Sequence, residues 1–192
     1  MAEWKKKRRT IRHYDQLSKV YDAQYSEEQE AKIKAALNGL ELRNKNVVLD
    51  AGCGTGLLFH HIAKKVKLVA GLDFSSHVLR EAKKRTKQLH NIALLKADAD
   101  QTPFQNQTFD TVFAITLLQN TPNAAHTLEE IKRLSKNQAA IVATGLKKRF
   151  TQESFTNLLQ QAKLNIKVLK TNEKLKGYVA ICTKSNIHLH TE

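Results

Sequence analysis

The 192-residue chain has two cysteines, two prolines, seven glycines and one tryptophan, and aromatics make up only 6% of it. Two cysteines, Cys53 and Cys182, give no disulfide framework, which points to reduced thiols and a cytoplasmic setting. So few glycines and prolines leave no flexible linker or low-complexity tract, and hence no evident domain boundary. No apolar run approaches the roughly 20 residues of a membrane span, and no apolar segment follows the basic N-terminus to make it a secretory signal. The eight histidines form no ligand constellation, so no metal is expected. Acidic residues are scarce as well: 18 Asp and Glu face 32 Lys and Arg, a formal charge of +14. Charge of that size favours a polyanionic partner through phosphate neutralisation. Lys5, Lys6, Lys7, Arg8, Arg9 and Arg12 form a block at the start, and Lys147, Lys148 and Arg149 form another late in the chain.

Residues 1–12 read as a basic arm, flexible or weakly helical, residues 13–185 as one domain and 186–192 as a short tail. Ser26-Glu27-Glu28-Gln29 has the pattern of a capping box opening a helix that stops near Gly39. Short apolar strands then alternate with helices. Strands are expected at Val47–Leu49, Leu68–Leu72, Ile92–Leu95, Thr111–Ile115 and Ala139–Ala143, then at Ile166–Leu169 and Tyr178–Cys182. Helices are expected near Gly56–Lys65, Ser76–Gln88, Ala124–Leu134 and Gln152–Ala162. Continuous apolar strands with helical crossovers give a doubly wound α/β domain: a mostly parallel seven-stranded sheet in an α/β/α sandwich. The last two strands are too close in sequence for a crossover helix and should form an antiparallel hairpin at one edge.

The first strand runs into Asp50-Ala51-Gly52-Cys53-Gly54-Thr55-Gly56-Leu57-Leu58. A phosphate-cradling P-loop needs Lys-Ser/Thr after its last glycine, and Leu57-Leu58 stand there. A dinucleotide loop spaces its glycines G-x-G-x-x-G, whereas Gly52, Gly54 and Gly56 run G-x-G-x-G. What remains is a tight turn that a ligand can approach closely, with the Asp50 carboxylate at the strand end, suited to a cationic amino-acid group. VLDAGCGTG resembles the first motif of the class I S-adenosylmethionine-dependent methyltransferases, and the resemblance extends over nearly all the chain from Asp15. Asp73-Phe74 follow the second strand, Asp98-Ala99 the third, and Pro103-Phe104 and Phe109-Asp110 approach the fourth.

The resemblance implies S-adenosylmethionine as cofactor. It implies that Asp73 accepts from the ribose hydroxyls, that Asp98 accepts from the adenine amino group, and that the Ala99 N–H lies near the ring. Gly52, Cys53, Gly54, Gly56 and Phe74 complete that set, and Tyr21, with Tyr14 as second choice, folds over the sulfonium or else packs on the core edge. Thr116, Gln119 and Asn120, after the fourth strand, are the candidate catalytic residues, and Thr116 belongs to the cofactor set as well, as a strand-end residue against the methionine part. Gln119 and Asn120 either position an acceptor or cap the next helix, and Asn120-Thr121-Pro122 is a partial echo of the motif of base-amine methyltransferases. The segment also resembles quinone-biosynthetic methyltransferases. An RNA base, ribosomal or transfer, is the expected acceptor on account of the charge, with a quinone-like or amine small molecule as the alternative. The absence of an appended RNA-binding module suggests an activating protein subunit.

Overall fold

A computed structural model describes residues 2–17, 21–173 and 175–185. The expected tail, 186–192, lies outside them, as does the side chain of Tyr21. Two helices, α1 (Ala2–Leu17) and α2 (Tyr21–Leu37), precede β1 (Val47–Ala51). Then follow α3 (Phe59–Ile62), β2 (Leu68–Asp73), α4 (Ser76–Arg85), β3 (Ile92–Lys96), β4 (Phe109–Ala114) and α5 (Ala124–Leu134). The chain goes on through β5 (Ser135–Leu146), α6 (Gln152–Gln161), β6 (Leu164–Lys170) and β7 (Gly177–Lys184).

The seven strands are ordered β3-β2-β1-β4-β5-β7-β6. All neighbours from β3 to β5 are parallel, and β7 runs antiparallel to both β5 and β6. Order reverses between β1 and β4, so the crevice at their carboxyl ends is the switch point where ligands bind open α/β sheets. Successive strand residues point to opposite faces, and here they fill two separate cores. Leu49, Val112, Ala114, Ile141 and Ala143 join Leu128, Ile131 and Leu134 of α5 and Phe155 and Leu159 of α6. Val48, Phe113, Val142 and Val179 join Ile33 of α2, Phe59 and Ile62 of α3 and Ala82 of α4. This is the three-layer doubly wound arrangement the alternation of elements predicts.

Four details differ from the sequence reading. The basic N-terminal segment is part of a helix that continues to Leu17. The second helix begins at Tyr21, so Ser26 lies inside it and caps nothing. After the glycine loop, α-helix is confined to Phe59–Ile62 and passes into a 3-10 turn at Ala63–Lys65. β5 starts at Ser135, paired with Phe109 across an irregularity in the β4 ladder. No helix among the described residues is long and apolar enough to cross a membrane.

Candidate cofactor and acceptor site

The end of β1 is pinned to β2 before the chain turns: Gly52 N and Cys53 N both donate to Leu72 O, at 2.8 and 2.9 Å. Gly52, Gly54 and Gly56 then adopt φ of +74°, +54° and +78°, a region costly for other residues. A Cβ on Gly54 would meet nothing within 4 Å, leaving that edge of the turn open. One on Gly56 would lie 2.5 Å from Phe59 Cε2. Gly56 is thus a packing position against α3, and it lines none of the hollows around the loop. Gly56→Ala is expected to destabilise the fold by about 2–3 kcal/mol through overpacking and backbone strain; an unchanged denaturant midpoint would contradict this.

Two small hollows, of about 130 and 50 Å³, adjoin the loop and share Gly52, Gly54 and Thr55. The first is bounded by Asp73, Phe74, Ala97 and Ala99, and the second by Asp50, Cys53, Ile115 and Thr116. The expected cofactor residues from β1, β2 and the β3 end thus converge on one crevice. Asp73 is pinned by its own neighbours: its carboxylate accepts from Gly54 N at 3.0 Å and from Ser75 N at 2.8 Å. Burial pushes its carboxyl up against those N–H bonds, which pull it down. Asp50 is 4% exposed and accepts no hydrogen bond among the described residues. Burial, with Asp73 nearby, pushes its carboxyl up to about 7. The Cys53 thiol is pushed up as well, by burial and by the same two acids, and stays neutral.

Asp98 is placed differently. Ala97 and Ala99 on either side border the first hollow, but its own carboxylate accepts from Asp100 N at 3.0 Å and from Lys7 Nζ at 2.6 Å. Lys7 also reaches Asp100 at 2.6 Å. The helix α1 is therefore docked. Its inner face carries Trp4 against Phe74, with ring centroids 5.9 Å apart, and Asp15 against Ser75 and His77. Thr10 and Tyr14 of that face border the first hollow.

A larger hollow of about 610 Å³ lies beyond and is bounded by Tyr25, Glu28, Gln119, Lys147, Arg149 and Lys176 among others. Tyr14 and Asn120 border both this hollow and the first small one, and Gln29 and Thr116 border both it and the second. These four side chains form the wall between the glycine-loop crevice and the larger space. Asn120 Nδ2 donates to Tyr14 Oη at 2.8 Å and to Thr116 O at 2.7 Å. Burial pushes the Tyr14 phenol up to about 12, so it remains protonated.

Thr116 has φ +60°, unusual for a β-branched residue and a strain of order 1–3 kcal/mol. It is held by three contacts: its N–H on Thr144 Oγ1 at 2.7 Å, its hydroxyl on Gln29 at 2.9 Å, and Lys32 Nζ on its Oγ1 at 3.1 Å. Lys32 is only 1% exposed and is paired with Glu28 at 2.6 Å. Lys32, Gln29 and Glu28 escape sequence reasoning. Their one signal is the Glu-to-Lys spacing of a helical turn, which usually marks a solvated face. Among the described residues, no group of three His, Cys, Asp or Glu could hold a metal ion.

The crevice fits S-adenosylmethionine on its own terms. The N–H groups of Gly52, Cys53, Gly54 and Gly56 are already spent on Leu72 O, Asp73 and Cys53 O. With two acids flanking it, the turn offers little to a pyrophosphate, while a buried carboxylate without a donor suits an ammonium. Comparison with known proteins agrees. A family model described as a methyltransferase domain matches residues 42–187. The demethylmenaquinone methyltransferase of Staphylococcus saprophyticus is 32% identical over 132 residues, covering 67% of this chain and 55% of its own. The malonyl-[acyl-carrier protein] O-methyltransferase of Marinomonas sp. is 30% identical over 142 residues, covering 73% and 52%. The chain spans about half the length of these curated relatives. Among solved structures, a methyltransferase in complex with the Haloferax volcanii Trm112 activator is similar with TM-score 0.80 and 16% identity, over 90% of this chain and 98% of the other. An S-adenosylmethionine-dependent methyltransferase of Thermotoga maritima gives 0.75 and 16%, over 92% and 100%. Family and fold coincide: the chain belongs to the methyltransferase-domain family and has the class I fold.

Proposed function

We propose that the protein transfers a methyl group from S-adenosylmethionine to a base in RNA. When bound, the cofactor supplies an electrophilic methyl on a sulfonium. What the chain must add is alignment, exclusion of water and a route for one proton. In this reading Asp50 meets the cofactor ammonium, Asp73 its ribose, and Asp98 and Ala99 the adenine end, once Lys7 gives way. Tyr14, Gln29, Thr116 and Asn120 frame the gap through which an acceptor reaches the methyl. A ring nitrogen or exocyclic amine needs little activation there if its lone pair is aimed and its proton leaves to water.

The observation that carries the RNA reading is the outer face of α1. At 3.6 residues per turn, Lys5, Arg8, Arg9 and Arg12 fall within about 100° of arc, and all four are exposed. They lie opposite the inner face that borders the crevice, so the stripe is open to a phosphate backbone while the inner face stays on the site. Single-stranded segments, whose bases can be splayed out, suit such a site. Replacing the four cations by glutamine should leave cofactor affinity intact and lower the slope of log K against log salt for RNA by about 3. A slope that does not change would remove the RNA reading. The likeness to demethylmenaquinone methyltransferase favours a second reading, a quinone-like acceptor. Parallel assays with undermethylated RNA and with demethylmenaquinol separate the two. An activating subunit, the role in which Trm112 is named for the Haloferax volcanii complex, belongs to the RNA reading, and co-purification from cells tests for it.

A further inference from the structure

The larger hollow has its own chemistry. β5 leaves the sheet at Leu146, and Lys147, Lys148 and Arg149 cross the rim before Thr151 caps α6. Lys147 N donates to Lys176 O at 3.0 Å, which brings a fourth cation, from the residue before β7, alongside the three. Two of these cations are already engaged. Lys147 Nζ donates to Asn172 O at 2.8 Å, and Lys176 Nζ stands 3.6 Å from Glu28. Lys148 and Arg149 are exposed, with no side-chain partner among the described residues. The acids bordering the hollow are Glu28 and Glu173, and Glu28 is already paired with the buried Lys32. The rim is therefore cationic with unused donors.

Deeper in, next to Asn120, Gln119 borders the same hollow. Its Oε1 is shielded from solvent and accepts nothing among the described residues. An acceptor left in that state is destabilising, and a turn of the amide offers it to whatever occupies the hollow. One end of the space thus calls for an anion and the other, beside the transfer gap, for an N–H or O–H donor. An isoprenoid quinol could supply the donor, but it would lay an apolar chain against the cations. A volume of about 610 Å³ is within the range that holds a drug-sized ligand.

We propose that this hollow receives the acceptor as a phosphorylated nucleoside, its phosphate on Lys147, Lys148, Arg149 and Lys176 and its base edge donating to Gln119. The assignment rests on the methyl-transfer reading and names the class of acceptor. The test titrates the protein, saturated with S-adenosylhomocysteine so that the cofactor crevice is filled, with the four ribonucleoside 5′-monophosphates and their parent nucleosides. At least one monophosphate should bind tenfold or more tightly than its nucleoside. That preference should fall with salt and drop at least threefold in Lys148→Ala/Arg149→Ala, whose S-adenosylhomocysteine affinity stays that of the natural chain. Equal affinity for nucleoside and monophosphate overturns the proposal, as does a preference that the double substitution leaves unchanged or the failure of all four to bind. A phosphate preference seen together with long-RNA binding that ignores the α1 stripe supports this pocket while removing the RNA reading.

Discussion

Asp73→Asn should weaken S-adenosylhomocysteine binding at least tenfold, about 1.4 kcal/mol, with little change in fold stability. Asp73 terminates β2 with both carboxylate oxygens fixed, one by Ser75 N at 2.8 Å and the other by Gly54 N at 3.0 Å. Each oxygen keeps a second lone pair, and the side chain borders the hollow that also touches Gly52 and Ala99. A pair of ribose hydroxyls is two donors in need of two acceptors. Asparagine supplies one oxygen and turns an NH₂ toward a donor, leaving a polar pair unmatched. A hydrogen bond to a charged group is worth about 1.5–3 kcal/mol, so tenfold is the lower end. The shape is unchanged and one of the two backbone N–H bonds survives, so the thermal midpoint should move by only a few degrees. Calorimetry returning the natural affinity would show that the ribose does not lie on Asp73, and a large fall in midpoint would show the side chain to be chiefly structural.

Why this residue was legible and others were not comes down to how local each signal is. A carboxylate after an apolar strand, and glycines where the backbone must turn with positive φ, are written in adjacent residues; Gly52, Gly54, Asp50 and Asp73 stood out for that reason. The helix α1 did not. Its inner face mixes Trp4, Lys7, Thr10, Tyr14 and Asp15 rather than a row of leucines, so the period of 3.6 carries no plain apolar stripe to read, and docking on Asp98, Asp100 and Phe74 is what holds it. The capping signature at Ser26 is real as a pattern, but the chain is already helical five residues earlier. The sequence predicts β5 only from Ala139 because Ser135-Lys136-Asn137-Gln138 has turn composition, and the pairing of Ser135 with Phe109 of β4 shows it as strand. Lys32 is the extreme case. Its burial depends on Glu28 one turn away and on Thr116 from a distant strand end, a tertiary fact with no local trace.

Asp50 should make both stability and cofactor binding depend on pH, and Asp50→Asn should abolish that dependence. With its carboxyl pushed up to about 7 by burial and by Asp73, against roughly 4 in an unfolded chain, the folded protein holds a proton that the unfolded chain has released. The contribution is therefore present below pH 4 and is lost as pH rises through 7, a loss of about 4 kcal/mol. For a chain of this size that is on the order of 10 °C in thermal midpoint. The asparagine variant, unable to ionise, should lack this fall and be the more stable of the two at pH 8. A cofactor ammonium reverses the balance, because it favours the ionised carboxylate that burial penalises. Binding at pH 6 should then release about one proton, seen as a buffer-dependent calorimetric enthalpy, and affinity should rise with pH up to about 7. In Asp50→Asn the proton release should disappear and the affinity fall. Parallel midpoint-versus-pH curves for the two proteins, or proton release that persists in the variant, would mean that Asp50 neither titrates near neutrality nor meets the cofactor's charge.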